Sequence, residues 1–587
     1  MEQTRKPSAS GHRLRKRLLV AGAIVLSVII LLVATVFVLA YYRGSRMIKA
    51  YLEAKVSDQT RGLYTLKMKN LNLILFPGRL RIEGLSLEPD TARYRELLQT
   101  DTLSSMLLTL NIGKLVVTDF DVVKAIRDKE IDLKKILVSS PEIRIDEFDV
   151  PPGRIKKEEK RTMKLSLSLP KGISLVDIGV IRLEKGTLLF VDHRKDTLRE
   201  TAVPEFSVQA DRIHIDSTAS GNLFNAEDIR FIIKGITKTS KNNLITVSLG
   251  EIGLSTGKKE LYVKDFHVKP EVSRVDYGRK LGYQTDWMEV TAREIRLSGL
   301  NIPQLLLNEY FEAARLTVDS IVLDDYRDKR NPSRKNWKPP MPHEALTNLN
   351  MQIRIDTVEV INGKLSYTEQ PGDKAGTIFF DQVSVKAWPL SNDSAMMADG
   401  FTMKVRGNAR LMGSGAVRLE VDFPMPARNG SFSYSARLGN FDMTQLNPFI
   451  AAQIPAKIVS GTVNRLVIPK VYANSRKAQG KLILYYHDLK MDLPPQTDKN
   501  WEHFKKSVLS FAANTYVAQS NPNQQGKLRE GIIYFERDSG KSIFNYLWKS
   551  VFSGIKSTVN VNSKEQKEIK KDARQKSKEQ DNSKKKH

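Results

Sequence analysis

Apolar residues recur at fixed offsets around three glycines, and this spacing constrains the fold more than any other feature. Val358 and Val360 precede Gly363 by five and three positions, and Leu365 and Tyr367 follow it by two and four. Ile181, Leu183, Leu188 and Phe190 stand at the same offsets around Gly186, as do Leu73, Leu75, Leu80 and Ile82 around Gly78. Alternation with period two places such residues on one face of a strand. If Asn362-Gly363 forms a two-residue type I′ loop, Val360 pairs with Leu365 and Val358 with Tyr367. The same register pairs Leu183 with Leu188 and Ile181 with Phe190. Around Pro77-Gly78, which suits a type II turn, it pairs Leu75 with Leu80 and Leu73 with Ile82. Each copy is predicted to be a hairpin with one apolar and one polar face, turning at Gly78, Gly186 or Gly363.

The expected fold class is mainly β with short helices: an N-terminal transmembrane helix, then a long antiparallel, groove-like twisted β-sheet built from repeated hairpins. The segment Leu18–Ala40 carries no charge. At about 1.5 Å per residue it is long enough for a bilayer core of about 30 Å. It exceeds the apolar region of a cleaved signal peptide, so an uncleaved anchor is expected. Arg13, Arg15, Lys16 and Arg17 precede the span, which favours a cytoplasmic N-terminus with the bulk of the chain across the membrane.

The predicted order is a basic cytoplasmic segment (1–17), the transmembrane helix (18–40), a first β-rich region (41–325), a linker (326–348), a second β-rich region (349–493), a mostly helical segment (494–560) and a disordered charged tail (561–587). The stretch "NIPQLLLNEYFEAARL" is read as helical, and "NFDMTQLNPFIAAQI" echoes it. "GAVRLEVDF" is the clearest strand, with Val417, Leu419, Val421 and Phe423 on one side and Arg418, Glu420 and Asp422 on the other.

Chemistry-bearing patterns are sparse. The chain has no cysteine, which excludes disulfides and cysteine–zinc sites. Its histidines are scattered without ligand spacing, no phosphate loop or nucleophile elbow appears, and no metal or cofactor is expected. "VDHRKD" around His193 is read as a polar turn, and "DDYRDK" at Asp324–Lys329 as a solvated loop. A formal net charge of +27 fits anionic lipid headgroups better than nucleic acid once the chain lies beyond a membrane, and equally fits a well-charged, solvated surface with no such partner. The aromatic stretch Tyr534, Phe535, Phe544, Tyr546, Trp548 and Phe552 is expected to pack on the end of the sheet, to cap a trough, or to touch a membrane.

Taken in order, the span, the juxtamembrane helix, "LKMKNLNLILFPGRLRIEGLSLEP" and "IGKLVVTDFDVVKAIRDKEIDLKKILVSSPEIRI" resemble the start of the AsmA-like family of bacterial envelope proteins. "ARLGNFDMTQLNPFIAAQIPAKIVSGTVNRLVIPKVYANSRKAQGKLILYYHDLKMDL", with its Gly461 turn, resembles the C-terminal repeat region of such proteins. The resemblance implies a membrane-anchored β-rich trough related to bridge-like lipid-transfer proteins. It implies a single-pass protein of the bacterial inner membrane, with its bulk in the periplasm of a Gram-negative envelope. No catalytic residues are carried over, so a non-enzymatic role is expected. That role is binding and transfer of phospholipid or other acyl lipids for outer-membrane lipid homeostasis, with the inner membrane and outer-membrane components as partners. The alternative is an envelope assembly scaffold that binds other proteins. The lipid-groove candidates are Val358, Val360, Leu365, Tyr367, Val417, Leu419, Val421 and Phe423. Periodicity leaves open whether their face is buried in a sandwich or lines an open trough.

Overall fold

The computed structural model describes residues 33, 35–36, 48–100, 106–148, 175–194, 199–216, 223–307, 310–334, 337–426, 428–453, 456–492 and 517–559. The expected span Leu18–Ala40 lies outside these residues except at Val33, Thr35 and Val36. So do the basic segment 1–17 and the charged tail 561–587. Among the described residues, no helix is long and apolar enough to cross a membrane.

Among the described residues the chain is mainly β, with one mostly antiparallel sheet of 22 strands. In chain order these are Tyr64–Ile74 (β1), Arg79–Pro89 (β2), Met106–Thr118 (β3), Glu130–Glu147 (β4), Leu175–Asp192 (β5), Arg199–Asp216 (β6), Leu223–Thr239 (β7), Ile245–Ser255 (β8), Glu260–Pro270 (β9), Asp286–Ser298 (β10) and Tyr310–Asp319 (β11). Then come Val322–Asp328 (β12), Gln352–Gln370 (β13), Gly376–Trp388 (β14), Leu390–Ser391 (β15), Phe401–Leu411 (β16), Gly415–Met425 (β17), Phe432–Leu438 (β18), Phe441–Asp442 (β19), Lys457–Ala473 (β20), Lys477–Asp492 (β21) and Glu530–Glu536 (β22). Helices are short, the longest among the described residues being Ile543–Val559. Two compact units divide between residues 236 and 263, whereas the polar break at 326–348 falls inside the second.

The glycine pattern has a different cause from the expected one at two of its three sites. Gly186 lies inside β5 and Gly363 inside β13, each a single strand rather than a hairpin. The preceding residues, Lys185 and Asn362, take left-handed backbone with φ of 55°. The register to the antiparallel neighbour shifts there, from Leu183 to Gly186 against β6 and from Val360 to Gly363 against β14. A bulge adds one residue, which restores the face of the side chains on either side of it. Ile181, Leu183 and Phe190 are all buried, with Leu188 packed against the same core. A Cβ on Gly186 would lie 2.4 Å from the Phe206 ring, so the glycine makes room for a cross-strand aromatic.

Gly78 does close a hairpin, over a four-residue turn, Leu75–Gly78. That length sets Leu73 opposite Leu80 and Leu71 opposite Ile82, two residues away from the expected register. A shift of two preserves the face, so Leu80 and Ile82 are fully buried as the pattern requires.

The same device recurs without glycine. Ser140 in β4 has φ of 49°, and Ser320, between β11 and β12, has φ of 54°. β4 runs parallel to β5, and β11 and β12 run parallel to β13, so left-handed residues stand side by side in each pair. Parallel neighbours need a long crossover, which is why hairpin logic alone misses them. In "NIPQLLLNEYFEAARL" Ile302–Leu307 is helical and β11 has begun by Tyr310, and Gly461 lies within β20. The segment expected to be mostly helical contains β22. "DDYRDK" is largely β12, with Arg327 and Asp328 buried, rather than a solvated loop.

Replacing Gly186 with valine is expected to destabilise the chain by about 1–3 kcal/mol by displacing the Phe206 ring. Gly372→Ala, where an added Cβ meets nothing within 4 Å, serves as the control and is expected to be neutral. Apparent melting temperatures from circular dichroism separate the two; equal values would refute this account of the glycine.

Candidate functional site

Strand pairing across the second unit builds unbroken apolar rows. Leu316, Val358, Ala387, Val405, Val421 and Tyr434 are successive cross-strand partners on β11, β13, β14, β16, β17 and β18. Two residues along, Val318, Val360, Val385, Gly407, Leu419 and Ala436 form a second row. Directly opposed residues share a face, so both rows lie on one side. Between them, on the other side, run Thr317, Glu359, Lys386, Arg406, Glu420 and Ser435. That row is stitched by ion pairs: Arg315 to Glu359 at 2.7 Å, Lys386 to Glu359 at 3.5 Å and Arg406 to Glu420 at 3.3 Å.

The expected groove residues all fall on the apolar side. Val358 and Val421 belong to the first row, and Val360 and Leu419 to the second. Val417 pairs with Leu438, and Phe423 with Met403. Leu365 and Tyr367 continue the face beyond the bulge, opposite Phe380 and Ile378. Leu316, Val318, Val385 and Val405 were not anticipated. For the first two, the Leu-, Glu- and Ala-rich run around them suggests helix, although "LTV" alternates.

Burial is graded along these rows. Val421, Tyr434, Val471, Leu482 and Ile533 are buried, and helix Ile543–Val559 packs on β21 and β22. Gly531 and Gly554 allow that contact, since a Cβ on Gly531 would stand 2.3 Å from the Gly554 carbonyl oxygen. Tyr434 and Ser550 meet through their hydroxyls at 2.6 Å. The C-terminal aromatics therefore divide: Tyr546 and Phe552 are buried, whereas Phe544 and Trp548 are exposed. Away from this helix, Val358, Val360, Val385, Val405 and Leu419 are only half-buried.

A polar cluster interrupts the apolar side. The offsets that place apolar residues around the left-handed position elsewhere give Leu316, Val318 and Leu323 around Ser320, and then Asp325. Asp325 stands between Met288 and Tyr367. Its Oδ1 is buried without a hydrogen-bond partner. Burial, reinforced by the Asp286 carboxylate and opposed by Arg327, raises its pKa to about 7. Beside it Arg327 donates two hydrogen bonds of 2.6 Å to Asp286, and the Tyr367 hydroxyl donates to Glu369 at 2.7 Å. Burial, then the Glu369 carboxylate, pushes the Tyr367 phenol well above its ordinary value.

His193 leaves β5 to meet Asp146 at 2.7 Å and stacks on Phe148, so it belongs to the end of the β4–β5 pair. Among the described residues, no cluster of His, Asp and Glu could hold a metal ion. No family model and no curated protein matches this chain.

The Asp325 carboxyl holds its proton in the folded chain and releases it in the unfolded one between its ordinary value of 3.8 and about 7. Its contribution to stability therefore falls as pH rises through that window. Asp325→Asn is expected to lose less stability than the parent between about pH 4 and about pH 7. Thermal melts across that range measure this, and parallel profiles for the two proteins would contradict it.

Proposed function

We propose that this chain binds lipid by its acyl tails on the apolar side of β11–β18 and passes it along the sheet, as a non-enzymatic lipid-transfer protein. The carrying observation is the half-buried state of Val358, Val360, Val385, Val405 and Leu419 in unbroken apolar rows. Residues under the C-terminal helix, such as Leu482 and Ile533, are closed off from water. An alkyl chain laid along the half-buried rows gains about 0.8 kcal/mol per methylene removed from water. The headgroup stays hydrated at the rim. Strands of β-sheet stacked along such a face give a continuous path with no bond-making step.

The AsmA-like resemblance and the apolar segment Leu18–Ala40 support a setting in the bacterial envelope. The chain would be anchored in the inner membrane with the sheet in the periplasm. Phospholipids are then the occupants at hand, and outer-membrane lipid homeostasis the process served.

Mass spectrometry of lipids extracted from the purified full chain tests this. Phospholipid is expected to co-purify at a fixed ratio to protein. Val360→Arg combined with Leu419→Arg is expected to cut that ratio several-fold without loss of the circular dichroism spectrum. Lipid at the background level of a control membrane protein, in the parent chain, would overturn the reading and favour the scaffold.

A further inference from the structure

The polar side of the same sheet changes character part-way across. From β11 to β16 three of its cations are matched: Arg315 and Lys386 share Glu359, and Arg406 lies between Glu420 and Asp422. Beyond Arg406, four arginines run diagonally across β16, β17, β18 and β20 with no ion pair among the described residues. Arg410 pairs in register with Ala416, two residues before Arg418. Arg418 stands directly opposite Arg437. Arg437 faces Val467, two residues after Arg465. Diagonal neighbours of this kind lie about 7–8 Å apart.

Each guanidinium keeps donors free. Arg410 donates to Gln382 at 3.0 Å and to the Ser414 carbonyl at 3.3 Å, and Arg418 donates to Asn408 at 3.3 Å. Arg465 lies over the Tyr485 ring at 4.9 Å. Asp381, in register with Arg410, makes no ion pair with it and leaves its Oδ1 without a partner. A shallow depression is lined by Gln382, Asn408, Arg410, Arg418 and Arg437, and a second one by Asn464, Arg465, Tyr485 and His487. Like charges directly opposite each other weaken a sheet. On the same side, Arg315, Lys386 and Arg406 are each met by a carboxylate, from Glu359, Glu420 or Asp422.

We propose that Arg410, Arg418, Arg437 and Arg465 form a binding site for a ligand carrying two or more phosphate groups. The guanidinium fork matches phosphate oxygens bidentately, and a line of four such forks suits phosphates spaced along a ligand. A phosphorylated lipid headgroup and a soluble oligophosphate share this chemistry. The site lies on the side opposite the apolar rows and does not depend on their occupant.

Isothermal titration of the full chain in neutral detergent with inorganic tripolyphosphate and, separately, with dioctanoyl phosphatidic acid tests the site. Arg418→Gln with Arg437→Gln is expected to weaken tripolyphosphate binding about tenfold or more. Arg406→Gln, which removes an ion-paired cation from the same side, is expected to leave it unchanged. The basic ends of the chain are common to all three proteins, so the difference reports the site. Tighter binding of the phosphatidic acid, lost in the double variant, would identify a lipid headgroup; tighter tripolyphosphate binding would identify a soluble ligand. Equal affinity of the parent and the double variant would overturn the proposal, as would an equal loss in Arg406→Gln. Arg437→Gln alone is expected to melt at or above the parent temperature, because it removes a like-charge contact. A lower melting temperature would assign Arg437 to the fold and overturn its place in the site.

Discussion

The structure depends on a single left-handed residue set at the middle of a long strand. Strands of 18 and 19 residues, such as β5 and β13, are longer than most, and alternation must stay in phase along their whole length. The bulge at Lys185 or Asn362 inserts an extra residue and bends the strand. Because the neighbouring parallel strand carries its own left-handed residue alongside, the two bend together at the same level. An L-residue in this conformation costs about 1–2 kcal/mol, and burial of the apolar side chains on both flanks offsets it.

From this constraint follows the two-sided character of the sheet. One side collects apolar rows six or more strands wide, and the other collects ion pairs that hold long side chains flat against the strands. Helix Ile543–Val559 closes the apolar side over β21 and β22, where tightly packed glycines bring helix and strand together. It leaves Val360 and Leu419 half-buried. A protein that needed only a dry core would gain by covering these residues too. Asp325, in a register position that elsewhere holds Ile145, Phe190 or Tyr367, marks the same side as one where a polar group is tolerated.

Much of this was legible in the residues. The offsets around Gly186 and Gly363 correctly sort side chains to one face, and "GAVRLEVDF" forms β17 with the faces read from its alternation. The mechanism was not legible. A turn and a bulge both use Asn-Gly or Lys-Gly, and both return the flanking residues to the same side. The choice between them is made by distant partners: β6 and β14 on one flank, parallel β4 and β12 on the other. Ser320 plays the part of a glycine-adjacent residue without a glycine, so Asp325 could not be placed on the apolar side in advance. "LLLNEYFEAARL" carries good helix formers, yet sheet pairing outweighs local propensity from Tyr310 onward.

The most direct test is which side of β13 an alkyl chain touches. The absence of native cysteine allows single-cysteine variants at Val360 and at its neighbour Glu359, each carrying a bimane fluorophore and exposed to doxyl-stearate. Quenching strong at position 360 and weak at position 359 is the predicted result. Equal quenching at both positions, or none at 360, would contradict an apolar side open to acyl chains.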